Sequence, residues 1–170
     1  FLFWQQYTAK SFNRRILGFK LMTAVLVPII YIVVYLVIRL LIGAPDLSVP
    51  WAAFIPAAEL SGAESVATAV GTLLGVGIGF LLEGSRIRFR SDGPLIRRIG
   101  RYILGMAVAL GIRAGLDMIF PAEPLWLGLP LRVLRYFFVG IWMAYYAPLV
   151  FVRLKLADAD PDPGIDLTIS

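Results

Sequence analysis

Between Ala63 and Leu82 the chain reads AESVATAVGTLLGVGIGFLL, and every fourth position is small: Ala63, Ala67, Gly71, Gly75 and Gly79. On a helix these five residues share one face, with Val, Leu, Ile and Phe on the others. In water each glycine would cost such a helix about 1 kcal/mol relative to alanine. In a bilayer the backbone has no water to bond to and stays helical, and the bare stripe admits a second helix at close range. The stretch reads as a transmembrane helix with a packing seam.

The rest of the chain agrees. Hydrophobic residues make up 59% of its 170 positions and charged residues only 16%, where a soluble domain carries about a quarter charged. Mean hydropathy is +0.82. There is no cysteine and no histidine. Thiolate chemistry, disulfides, histidine general bases and the usual axial ligation of haem or bacteriochlorophyll are excluded within these residues. No metal site and no cofactor are expected, while bound lipid or carotenoid is compatible with grooves between helices. The net charge of +5 does not point to nucleic acid, because the cations flank apolar spans and so serve orientation and headgroup contact.

The expected fold class is all-α, an integral membrane bundle of four transmembrane helices with an N-terminal interfacial helix. Residues 1–20 mix Phe, Trp and Tyr with Lys10, Arg14, Arg15 and Lys20, a composition suited to the membrane boundary. Spans follow at about 21–42, 63–82, 99–120 and 132–152. Pro45, Pro50 and Pro56 mark the first loop as non-helical, and Pro121, Pro124 and Pro130 mark a later one. Residues 153–170, with Asp158, Asp160, Asp162 and Asp166, form an acidic flexible tail. Lys and Arg concentrate in the N-terminal segment, in the 83–101 region and at the start of the tail. The loops 43–62 and 121–131 have neither. This asymmetry predicts a multi-pass protein of the inner, cytoplasmic membrane with both termini cytoplasmic. Arg86, Arg88, Arg90, Arg97 and Arg98 set that topology and contact headgroups.

Span three repeats the small-residue spacing at Ala107, Gly111 and Gly115, which makes it the expected partner of the seam on span two. Arg113 and Asp117 lie four apart on span three and share a face. With Arg39 and Arg135 they form an expected intramembrane ionic cluster, near Arg132, Glu59, Glu64 and Glu123. Intramembrane charge marks a functional candidate such as an anionic headgroup or phosphate site. The plainer reading, and the favoured one, is a paired network that fixes helix register.

The runs GTLLGVGIGFLLEGSRIRF (71–89), RRIGRYILGMAVALGIRAGLDMIFP and LRYFFVGIWMAYYAPLVFVRLKLA together resemble the C-terminal membrane region of some bacterial and archaeal members of the type 2 phosphatidic acid phosphatase (PAP2) superfamily. The resemblance covers about residues 21–157. That superfamily hydrolyses lipid phosphates through a phosphohistidine, and none of its catalytic motifs transfers. Ser61 and Gly62 are followed by Ala63 where its Ser-Gly-His motif requires histidine. The expectation is therefore a non-catalytic structural or accessory subunit of a larger membrane complex, photosynthetic and respiratory assemblies included. Its expected partners are membrane lipids and other membrane-protein subunits. The alternatives are the C-terminal part of a phosphatase whose catalytic core lies upstream of Phe1, and a small lipid-binding or transport protein with a polar cavity at span three.

Overall fold

The computed structural model of the chain describes residues 17–87, 93–121 and 123–158. The expected interfacial helix falls outside them up to residue 16, as do Arg88, Arg90 and the acidic tail beyond Asp158. Four helical runs, Phe19–Ile42, Ala52–Gly84, Leu95–Ile119 and Leu125–Arg153, are long and apolar enough to cross a bilayer. No strand occurs among the described residues.

Helix α1 (Leu17–Ile42) is followed by a loop and a single 3-10 turn (Ala52–Phe54). Helix α2 (Ile55–Arg86) and helix α3 (Leu95–Ile119) come next. The last span is helix α4 (Leu125–Ile141), a π-helical turn (Trp142–Tyr146) and a short helix α5 (Ala147–Arg153). All four spans begin earlier than the apolar runs suggest. In α2 the reason is Pro56, which sits in the first turn, where no backbone N–H is required and the ring pre-sets φ. At 32 residues α2 is about 48 Å long, well beyond a hydrocarbon core of about 30 Å.

The bundle is organised around α2. Its most extensive packing is with α4, followed by α1, while α3 lies against α4 and the π turn on the far side. Helix α1 touches α2 along a thin stripe: Ala24 meets Gly77, Tyr35 reaches Gly62 and Arg39 pairs with Glu59. Pro28, on the same stripe, is fully buried. Its other large side chains, Val25, Leu26, Ile29, Ile30 and Val33 among them, are exposed to what would be lipid. The helix ends where Gly43, at a φ of +75°, adopts the left-handed conformation and returns its N–H to the Arg39 carbonyl.

The loop after α1 is stiffened by Asp46, whose Oδ1 accepts from the Ser48 hydroxyl (2.7 Å) and the Ser48 N–H (2.8 Å). These bonds, the hydroxyl first, hold the Asp46 carboxyl below its ordinary value. A group depressed in the folded state contributes above its unfolded pKa and loses that contribution as pH falls through the folded one. Relative to a free amide at the same pH, hydrogen exchange at the Ser48 amide should therefore be slow at neutral pH and lose that protection in acid. In Asp46→Ala it should be fast throughout.

Candidate functional site

Two sets of side chains singled out from the sequence lie at helix contacts, and both are arranged differently from expectation. The glycine face of α2 turns toward α4 rather than α3. A Cβ at Gly71 would collide with the Val133 carbonyl and press on Tyr136. One at Gly75 would strike the Phe137 carbonyl and lie 2.9 Å from the Ile141 nitrogen, and one at Gly79 would meet Ala144 at 2.6 Å. The contact is reciprocal, since a Cβ at Gly140 would sit 3.0 Å from the Val76 nitrogen and 3.1 Å from the Thr72 carbonyl. Residue numbers rise together along both helices, so α2 and α4 run parallel. Ala67 is buried in the same stripe and Ala63 partly so. The small residues of α3 do not join it. Ala107 and Gly111 are exposed, and nothing lies within 4 Å of a Cβ at Gly111 or Gly115. The true partner was present in the sequence as Gly140 and Ala144, four apart on span four.

The ionic residues cluster at one end of the bundle, where α1 and α3 finish and α2 and α4 start, but they divide into separate clamps. Arg39 belongs to none of α3 or α4: its Nη1 bonds Glu59 Oε1 at 2.7 Å and ties α1 to α2. Arg132 ties α4 to α2 through Nη1 to Glu64 Oε1 at 2.6 Å and Nε to Thr68 Oγ1 at 3.2 Å. Asp117 pairs with Arg135 across α3 and α4 and not with its own-helix neighbour Arg113. Arg113 instead lies beside the Tyr136 side chain of α4. The helix spacing that places Arg113 and Asp117 on one face is met, and the facing helix supplies the ion-pair partner of Asp117. The Arg135 side chain is 12% exposed, and its buried Nε has no hydrogen-bond partner. Glu123 is exposed and joins no clamp among the described residues.

Arg39, Arg132 and Arg135 each have a carboxylate against them, an arrangement that fixes register, while Arg113 is exposed. Along the same stretch of α3 there is a recess lined by Gly111, Ile112, Leu116, Phe138, Trp142 and Tyr146. It is almost wholly apolar, whereas the transport alternative requires a polar cavity there.

At the opposite, arginine-rich end the π turn shapes the surface. The Ala147 N–H bonds the Trp142 carbonyl five residues back, and Pro148 next in the chain cannot donate, so a widened turn relieves its ring. The turn brings Trp142 Nε1 to the Gly105 carbonyl at 3.2 Å, joining α3 to the last span. Trp142→Phe should lower stability by about 1 kcal/mol through loss of this bond, measurable by thermal unfolding in detergent. Arg97 and Arg98 sit at the exposed start of α3, with Arg98 Nε donating to the Gly93 carbonyl at 3.1 Å. Nearby Arg101 is buried at 6% exposure, although the sequence marks it only as one more charge of the basic 83–101 region. Among the described residues no group of three or more acidic, histidine or cysteine side chains is placed to hold a metal.

No curated protein and no solved structure matches the chain. The family model for the transmembrane extension of PAP2 superfamily phosphatases matches residues 67–159, from the seam of α2 through the basic hairpin and α3 to the end of the last span. The chain belongs to the PAP2 phosphatase transmembrane-extension family.

Proposed function

We propose that this chain is a non-catalytic membrane module, a structural or accessory partner to phosphatase-type machinery rather than the seat of the chemistry. The single observation behind this reading is the absence of histidine from all 170 residues, which leaves no group to form a phosphohistidine. The module is read as lying in the inner membrane, with the arginine-rich end and both termini cytoplasmic. Its exposed α1 and its exposed Ala107–Gly111 face are the surfaces offered to other membrane subunits and to lipid.

The test is direct. The purified chain in detergent, assayed with p-nitrophenyl phosphate and with a lipid phosphate, should show no turnover above a mock preparation. Turnover that follows the protein through purification would overturn the reading. A second reading, the membrane portion of a longer phosphatase chain, draws on the family's description as an extension of such enzymes. A Ser-Gly-His motif encoded in frame ahead of Phe1 would favour it, and a separate phosphatase gene product retained with the chain in mild detergent would favour the accessory subunit.

A further inference from the structure

We propose that the groove between α3 and the last span at the arginine-rich end binds an anionic phospholipid, its phosphate at Arg98 and one acyl chain running inward. The groove has a volume of about 480 Å³, within the range of small-ligand sites. Its two ends differ in chemistry. Arg98, Arg101 and Tyr102 line the outer end, while Gly105, Met106 and Met143 line the inner part, with Phe151 as a wall. Arg98 to Met106 spans eight residues of helix, about 12 Å along the bilayer normal. A charged mouth opening on an apolar trough of that length matches a phosphate followed by hydrocarbon. It does not match a free anion, which has no use for the trough, or a neutral lipid, which has no use for the arginines.

The positions are consistent with a built feature. Arg98 is exposed, and its bond to the Gly93 carbonyl holds the guanidinium at the mouth. Arg101 is buried with an interaction of its own within the protein, so Arg98 provides the contact that a ligand can gain. Gly105 keeps the trough open beside the Phe151 ring, since a Cβ there would come within 3.3 Å of Phe151 Cζ. The π turn puts the flexible Met143 side chain across from Met106, and thioethers adapt readily to an acyl chain. This site stands at the end of the bundle away from the ionic clamps and does not depend on the accessory reading.

The experiment is native mass spectrometry of the full chain in detergent. Dioctanoyl phosphatidylglycerol and dioctanoyl phosphatidylcholine are titrated separately, and inorganic phosphate is added as competitor. Phosphatidylglycerol should bind about tenfold more tightly than phosphatidylcholine, the scale of one charge-assisted contact. Arg98→Gln should abolish that preference, and Met143→Trp should weaken both lipids by filling the trough. Arg97→Gln, one residue away and outside the groove, should leave binding unchanged and controls for general loss of charge. Arg98 and Met143 are both exposed, so neither variant should disturb folding, which circular dichroism checks. Equal binding of the two lipids, or a preference that survives Arg98→Gln, overturns the proposal. So does inorganic phosphate displacing the lipid at equal concentration, which would mark a free-phosphate site, or a Met143→Trp variant that binds as the parent does.

Discussion

Gly75→Ala is expected to destabilise the bundle by about 3 kcal/mol, near the upper end of the cost of overpacking. The added methyl would enter the space of the Phe137 carbonyl and lie 2.9 Å from the Ile141 nitrogen. Those are backbone atoms in the middle of a helix and cannot rotate aside as a side chain could. The two helices must separate, and separation also loosens Gly71 on Val133 and Gly140 on Val76, since all three contacts share one interface. Gly111→Ala is the matched control. Nothing lies within 4 Å of the new atom, and alanine is the better helix former, so stability should hold or rise slightly. Unfolding in mixed detergent micelles, followed by circular dichroism, reads both. A large loss at Gly111 with none at Gly75 would return the seam to α3.

Asp117→Leu is expected to cost about 3 kcal/mol, because it leaves the Arg135 guanidinium without a counter-charge inside the span. Arg135 is mostly buried and already has an unpartnered Nε, so it has little else to turn to. The double change Asp117→Leu with Arg135→Leu should recover most of the loss, since two apolar side chains need no pairing. The same comparison at Glu59 and Arg39 should give a smaller effect, since both of those side chains are more than a third exposed. A single Asp117 variant as stable as the parent would show that the pair is not what joins α3 to α4.

Much of the architecture could be read from residue order alone. Four apolar runs separated by proline-rich or arginine-rich segments leave one membrane solution, and the basic hairpin fixes the alternation of the spans. The identity of contacting helices could not be read in the same way. A row of small residues states that something approaches closely but not what approaches, and spans three and four each carried such a row. What separates them is the facing helix: Gly140 and Ala144 find α2, while Ala107 and Gly111 are left exposed. The ionic residues behave likewise. Spacing on one helix placed Arg113 beside Asp117, yet Asp117 pairs with Arg135 on the neighbour, which spacing within span three does not encode. The groove at Arg101 was hidden for a related reason, since it depends on a π turn set by Pro148 and on two spans meeting.

The parallel union of α2 and α4 bears on how the protein is made. Two neighbours that point the same way must be linked by a segment returning across the membrane, and α3 is that return. The nascent chain therefore has to deliver three further turns of the ribbon, namely the arginine hairpin, α3 and the Pro121 corner, before α2 can meet its mate. Until Gly140 leaves the ribosome, the flat flank of α2 faces acyl chains alone, and a polypeptide interrupted there would offer the cell's proteases an unfinished surface.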